Sequence, residues 1–207
     1  MRDLLTIVFV LLPATVLAEE VLLTPVQDAY ICCCQPDVTN PNGGPNYLYH
    51  GQYGTCYDRS LIQWDLSVLP DSIVLESAEM RLYCEAFYGT ESGYPVYYMI
   101  DEQWDQETVT YNTQPDFDTD IELQGYWPSA NEWYSLDVTQ FAEAWLNGSH
   151  VNYGIYCWCA ETTGTCVPGF WSSDYSDEEL RPVLAVDYQD LAFTSQTWAA
   201  IKTSADN

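Results

Sequence analysis

The feature that most constrains the fold is the spacing of apolar residues, which favours extended strands along most of the chain. Short runs rich in Val, Ile, Tyr and Trp alternate with clusters of Pro, Gly, Asn and Asp. In the run SAEMRLYCEAF, Ala78, Met80 and Leu82 fall on one face of a strand, and Glu79 and Arg81 fall on the other. About eight such runs with turn signals between them predict an all-β sandwich or barrel.

One segment departs from the strand pattern. In DVTQFAEAWLNGS, Phe141, Ala142 and Trp145 recur at helical spacing, and Gly148 ends the run. The spacing predicts one short helix at one end of the sandwich. We assign Trp145 and the strand residue Trp64 to the core.

The N-terminus has the organisation of a secretory signal peptide. An apolar run over 4–12 follows Arg2, and Val16 and Ala18 supply the small residues before a cleavage site. We therefore predict a signal peptide over residues 1–18 and an extracellular location. The alternative is a membrane anchor, for which the run is short. No later segment is apolar enough to predict a membrane span.

The strand pattern divides the rest of the chain into a domain and a tail. The domain is predicted over residues 19–188 and ends with the last predicted strand. Residues 189–207 are predicted to be a C-terminal tail that holds Phe193 and Trp198 among polar residues. Such a tail either packs on the domain or reaches a partner.

The charge balance narrows the class of partner. The sequence has 31 acidic and 5 basic side chains, for a net charge of −26. Removal of the signal peptide takes away Arg2 and Asp3, so the charge stays the same. Nucleic acid is excluded as a partner because its binding requires Lys and Arg against phosphates. Polyanionic glycans are disfavoured for the same reason, whereas neutral glycans and divalent cations are compatible with the charge.

Three consecutive cysteines stand in the stretch DAYICCCQPD. An exported chain meets oxidising conditions, which favour disulfides. On a strand, Cys32 and Cys34 share one face and Cys33 takes the other, so the three do not converge on one metal. We expect Cys32 and Cys34 to pair with other cysteines of the chain, while Cys33 needs a partner on the opposite face or outside the chain. The predicted disulfide cysteines are Cys32, Cys33, Cys34, Cys56, Cys84, Cys157, Cys159 and Cys166.

An acidic stretch offers a candidate metal site. Asp116, Asp118, Asp120 and Glu122 occupy alternate positions and line one face of an extended chain. Oxygen ligands of this kind suit Ca²⁺, so a structural calcium ion is the one cofactor considered. The alternative is a solvated acidic loop.

Aromatic residues are abundant, with 17 Tyr and 8 Trp. Flat aromatic faces beside polar groups are what a sugar-binding surface requires. The predicted ligand-binding residues are Trp127, Trp133, Tyr156 and Trp158, which lie in a long loop or on strand faces opposite apolar residues. The alternative for each of them is ordinary packing.

Two further sequence features have weaker chemical implications. Asn147 begins an Asn-Gly-Ser sequon and is a predicted glycosylation site, with a helix-ending turn as the alternative.

Neither His50 nor His150 lies in a recognisable catalytic motif. Carboxylate pairs are uninformative in so acidic a chain. The chain is therefore predicted not to be an enzyme.

Two runs carry a resemblance to a known family. RSLIQWDLSVLP, which begins at Arg59, and WDQETVTYNTQP, which begins at Trp104, resemble the DNRLRE (disaggregatase-related) domain, over roughly residues 21–188. The resemblance implies a jelly-roll-like β-sandwich of secreted proteins that often accompanies polysaccharide-degrading enzymes. Some members belong to a carbohydrate-binding module family that recognises alginate. That ligand needs basic residues, which are scarce here. We expect Arg59 to pair with a carboxylate near the core.

These observations lead to one prediction of fold and three of function. The fold is a jelly-roll-like antiparallel β-sandwich with one short helix, stapled by disulfides. The leading function is a secreted, non-catalytic module that binds carbohydrate at a cell envelope or matrix. The alternative is a structural subunit that assembles with copies of itself into a filament or surface layer. A secreted polysaccharide hydrolase is third.

Overall fold

The computed structural model describes residues 18–41 and 44–191 and is built mostly of antiparallel strands. The helix α1 spans Thr139–Leu146, where the helical spacing predicted it. Residues 1–17 of the predicted signal peptide and residues 192–207 of the predicted tail lie outside the described residues. The strands are β1 (Glu19–Leu23), β2 (Pro25–Cys32), β3 (Tyr47–Tyr49), β4 (Gly51–Tyr53), β5 (Cys56–Trp64), β6 (Ile73–Gly89), β7 (Tyr94–Ile100), β8 (Phe117–Gln124), β9 (Glu132–Asp137), β10 (Ile155–Ala160), β11 (Cys166–Trp171) and β12 (Val183–Asp190).

The strands form one continuous sheet that folds over itself into an open sandwich. Its order is β1-β12-β6-β11-β4-β5-β10-β7-β8. Three strands lie off this path, since β2 pairs with β5, β3 pairs with β11, and β9 pairs with β6. Every strand pair is antiparallel. The predicted antiparallel β-sandwich is therefore confirmed.

The main core is an apolar cluster to which most strands contribute alternate residues. Ala78, Met80 and Leu82 of β6 lie in it, as their alternation predicted. Phe141 and Trp145 of α1 also belong to it, because the helix packs its apolar face against β6. Trp64 is buried in the same cluster, so both tryptophans assigned to the core are found there.

A second apolar cluster covers the opposite face of β2, β5, β7 and β10. Leu61 and Tyr98 of the sheet pack there with Trp104 and Val109, which come from the segment that links β7 to β8. These four strands are therefore buried on both faces. None of the helices in the described part of the chain has the length and apolar character to span a membrane.

Arg59 lies at the margin of this second cluster. Its guanidinium donates a hydrogen bond to the Tyr156 hydroxyl at 2.7 Å and another to the side-chain oxygen of Gln114. It also lies over the rings of Tyr111 and Trp158, at 4.7 and 4.9 Å from their centroids. The expected carboxylate partner is replaced by aromatic faces and neutral oxygens, which hold the cation by cation–π contact and hydrogen bonding.

Candidate functional site

Two of the four aromatics predicted from the sequence serve packing. Tyr156 is 0% exposed, and its ring stacks on Phe117 with the centroids 4.4 Å apart. Trp158 is half-buried under the Arg59 guanidinium. The expected outward face of β10 is instead covered by the second apolar cluster. The prediction that Tyr156 offers a free aromatic face is therefore wrong.

The other two predicted aromatics lie nearer the surface. Trp133 is 43% exposed, and its ring meets that of Tyr83 edge-on at 5.5 Å. Trp127 meets Phe87 in the same way at 5.9 Å, and its indole N–H donates to the carbonyl of Gly93. Trp133 is thus the most exposed of the four predicted aromatic residues.

Three of the predicted calcium ligands, Asp118, Asp120 and Glu122, lie on β8, and Asp116 directly precedes this strand. The Asp118 carboxylate accepts a hydrogen bond from the backbone N–H of Asp120 at 2.7 Å. Glu122 accepts hydrogen bonds from the side chains of Tyr98 and Gln124. Within residues 18–41 and 44–191, no group of three or more His, Cys, Asp or Glu side chains is arranged to hold a metal ion. Calcium binding stays a prediction, and a melting temperature that EDTA leaves unchanged would contradict it.

The cysteine prediction is confirmed at one pair and corrected elsewhere. Cys34 and Cys56 form a disulfide. The strand β2 ends at Cys32, so Cys33 and Cys34 lie in a turn, and Cys34 is free of strand alternation and reaches Cys56. Cys33 instead accepts a hydrogen bond from the Tyr57 backbone N–H at 3.1 Å. The remaining predicted disulfide cysteines carry free thiols: Cys32, Cys33, Cys84, Cys157, Cys159 and Cys166.

The sequon at Asn147 lies at an accessible turn. Asn147 is exposed directly after α1, and its side-chain oxygen accepts a hydrogen bond from the Ser149 backbone N–H at 2.8 Å. This is the helix-ending turn that the sequence offers as the alternative, and the residue is exposed there. Glycosylation of Asn147 stays a prediction.

A concave site lies elsewhere, beside the disulfide. It is a cleft of about 440 Å³ whose walls carry tyrosines from four different strands. We call it the tyrosine cleft. Its lining residues are Tyr30, Cys32, Cys34, Gln35, Tyr49, Tyr53, Cys56, Asp58, Tyr88 and Val167.

The tyrosine rings support one another. Tyr30 and Tyr49 meet edge-to-face with centroids 5.1 Å apart, and the centroid of Tyr88 lies 6.4 Å from that of Tyr49. Tyr49 rests on the backbone of Gly169, where an added Cβ would lie 2.8 Å from the Tyr49 ring. Glycine at this position therefore allows the ring to lie close to the sheet. Tyr53 is 61% exposed at the end of β4 and forms the rim.

Asp58 supplies the one carboxyl group among the residues that line the cleft. This carboxyl is buried, and burial raises its pKa above the ordinary value, while a hydrogen bond with the Cys32 thiol lowers it in part. Burial also raises the pKa of the Cys32 thiol to about 11, so the thiol stays protonated. Burial likewise raises the pKa values of Tyr30 and Tyr49. The cleft lining thus combines neutral phenols with one carboxyl group.

Sequence reasoning missed this cleft because its tyrosines come from separate parts of the chain. Tyr30, Tyr49, Tyr53 and Tyr88 belong to β2, β3, β4 and β6. Only the sheet topology brings them together, since β4 pairs with both β5 and β11. A usable signal existed in the sequence YLYHGQYG, where three tyrosines follow a Gly/Asn-rich loop.

The comparison with family models gives a match over nearly all of the described residues. The model of carbohydrate-binding module family 96 matches residues 19–188. The chain belongs to this family. A comparison with curated proteins finds no match. As a member of carbohydrate-binding module family 96, the protein contains the carbohydrate-binding module predicted from its sequence. The DNRLRE name and the relation to alginate binding stay predictions.

Proposed function

We propose that this family 96 module is a secreted, non-catalytic protein that binds a neutral glycan in the tyrosine cleft. The observation that carries the proposal is a concave surface lined by four tyrosines and one carboxyl group, with no Lys or Arg among its lining residues. The sequence pattern of residues 1–18 supports secretion, which suits a cell envelope or matrix as the place of binding.

The chemistry of the cleft suits sugars. The apolar C–H faces of a pyranose ring pack on aromatic faces, and exposed rings such as Tyr53 and Tyr88 offer such faces. The Asp58 carboxyl can accept hydrogen bonds from sugar hydroxyls, and the phenol groups can donate or accept. Because the lining residues include no cation, a glycan that carries carboxylates or sulfates would meet no opposite charge there. The net charge of −26 would in addition repel such an anionic glycan.

The lining also supports a binding role rather than hydrolysis. Most glycoside hydrolases use two carboxyl groups that flank the scissile bond. Asp58 is the one carboxyl group among the residues that line the cleft. Binding therefore requires nothing beyond what the cleft contains, whereas hydrolysis would require a second acid.

Replacing Tyr53 tests the proposal with little effect on the fold, because its side chain is largely exposed. We expect Tyr53→Ala to weaken binding of a neutral glycan found on an array by about tenfold, a loss typical of one aromatic face in a binding site. Isothermal titration calorimetry measures the change.

Trp133→Ala is the matched control, since it removes an exposed ring outside the cleft. We expect this variant to bind as tightly as the wild type. The opposite result, normal binding by Tyr53→Ala and loss by Trp133→Ala, would move the site to the surface predicted from the sequence. It would contradict the assignment to the tyrosine cleft.

A further inference from the structure

One buried phenol of the tyrosine cleft has no hydrogen-bond partner. Tyr30 lines the cleft and is 1% exposed. Among the residues that the structure describes, none forms a hydrogen bond with its hydroxyl. Buried polar groups are normally paired, because an unpaired one loses its hydration without a replacement. The Tyr30 hydroxyl is therefore a group that a ligand in the cleft could satisfy.

The strand register places this hydroxyl-bearing side chain beside Asp58. Cys32 lies opposite Asp58 in the β2–β5 pair, and Tyr30 lies two positions before Cys32 on the same face of β2. Tyr30 is thus a diagonal neighbour of Asp58. Burial raises the pKa of Tyr30, and the nearby charge of Asp58 raises it further. On the other side of Asp58, β4 contributes Gly51, which has no side chain to cover the carboxyl group.

Asp58 has no cationic partner in the described part of the chain. None of the ion pairs found there includes this residue. The guanidinium of Arg59, the next residue, lies at the second apolar cluster on the opposite face of the sheet. A buried carboxylate without a counter-charge is costly, and burial accordingly raises the pKa of Asp58. A cationic group of a ligand would supply the missing charge.

The surroundings of the cleft have the same electrostatic sign. Tyr53 and Tyr88 are 61% and 42% exposed, and aromatic faces attract cations. The Tyr88 hydroxyl donates to the Glu85 carboxylate at 3.4 Å, so a second acidic side chain lies next to the lining residues. No Lys, Arg or His is among those lining residues. The net charge of −26 attracts cations to the whole molecule.

We propose that the tyrosine cleft prefers a sugar unit with a protonated amino group to the same sugar with a hydroxyl or N-acetyl group in its place. The ammonium group has three donors and one positive charge, which suits the Asp58 carboxylate and the unpaired Tyr30 hydroxyl together. A sugar hydroxyl has one donor and no charge. This inference rests on the proposed function, because it names the class of glycan that the same cleft binds most tightly.

The test compares glucosamine, galactosamine and mannosamine with their parent sugars and their N-acetyl forms by calorimetric titration. The titrations are run below the pKa of the amines and at about 0.15 M salt, where a screening length of about 8 Å weakens the attraction of distant carboxylates. We expect the preferred amino sugar to bind at least about tenfold more tightly than either of its neutral forms, because its hydrogen bonds are charge-assisted.

Two substitutions of the same chemistry separate the cleft from the overall charge. Asp58→Asn keeps the shape of the side chain and removes its charge, and it should bring the affinities for amino and parent sugar to within about twofold of each other. Asp65→Asn removes the same charge at an exposed position outside the cleft, and it should retain the tenfold preference. Tyr30→Phe should reduce the preference by about threefold.

The outcomes separate this proposal from the cleft assignment. If the parent sugars bind and no amino sugar binds more tightly, the preference is overturned while the cleft assignment stands. A preference that persists in Asp58→Asn would assign it to the overall charge and would also overturn the proposal. If no sugar of any form binds, both proposals fail.

Tyr30→Phe keeps the test valid should Asp58→Asn unfold. The hydroxyl that it removes has no partner among the described residues, so the variant should keep the melting temperature of the wild type. A folded Tyr30→Phe protein with the full preference of the wild type would contradict the proposed role of this hydroxyl.

Discussion

Removal of the Cys34–Cys56 disulfide is expected to lower the free energy of unfolding by about 3 kcal/mol, from the chain entropy that a loop of this length gains on opening. The bond joins residues separated by 22 positions. The loop that it closes carries Tyr49 and Tyr53, so the double variant Cys34→Ser, Cys56→Ser should also bind glycan more weakly than the wild type. Urea unfolding followed by circular dichroism measures the first effect and calorimetric titration the second.

Reducing agent supplies the control. Wild-type protein unfolded in dithiothreitol should show the stability of the double variant, and the variant itself should not respond. A double variant with the free energy of unfolding of the oxidised wild type would contradict the expected contribution of the disulfide. Retention of full affinity would show that the loop holds its tyrosines without the bond.

Acidification is expected to destabilise the protein through His50. This side chain is completely buried in the core, where its ring stacks on Phe170 at 5.0 Å and its Nε2 lies 3.4 Å from the Tyr97 hydroxyl. Burial lowers its pKa from 6.5 to about 3. Between these values the unfolded chain binds a proton that the folded chain does not. The stability that the neutral His50 contributes is therefore lost as the pH falls below 6.5, by about 1.4 kcal/mol per pH unit.

Asp28 acts in the opposite direction and must be separated from His50. Burial raises the pKa of this carboxyl to about 6, against a hydrogen bond from the Ser173 backbone N–H that lowers it. The folded chain therefore binds a proton first, and Asp28 contributes stability that grows as the pH falls through 6. Near pH 5 the contributions of His50 and Asp28 to the unfolding free energy change with pH by similar amounts in opposite directions. The pH dependence of the wild type alone therefore measures neither contribution.

The variants His50→Phe and Asp28→Asn resolve the two contributions. Relative to the wild type, His50→Phe should gain about 1.4 kcal/mol of unfolding free energy per pH unit as the pH falls from 6.5 towards 4. Asp28→Asn should show the reverse trend below pH 6. Urea unfolding at several pH values gives these differences. Parallel curves for the wild type and His50→Phe would contradict a neutral buried histidine.

Much of the fold could be predicted from local patterns. Alternation placed Ala78, Met80 and Leu82 in the core, and helical spacing located α1. The pattern was less informative where both faces of a strand are covered. Tyr156 was expected to face outwards because its neighbours face inwards, yet the segment between β7 and β8 covers it. Which loop covers which sheet face depends on long-range packing that strand alternation does not encode.

The candidate site could be predicted in kind but not in place. High aromatic content and low positive charge favoured binding of a neutral glycan, and the family match agrees with a carbohydrate-binding module. The predicted positions favoured tryptophans, whereas the concave surface is built of tyrosines from distant strands. The disulfide was located only in part, because the end of β2 at Cys32 decides which cysteine can turn towards Cys56.

The most direct test of the account is an NMR titration of the isotope-labelled protein with the tightest-binding neutral oligosaccharide. Bound sugar in the tyrosine cleft should shift the backbone amide signals of Tyr49, Tyr53 and Asp58 most, with little change near Trp133. Shifts concentrated around Trp133 and Tyr83, with the cleft signals unmoved, would contradict the account.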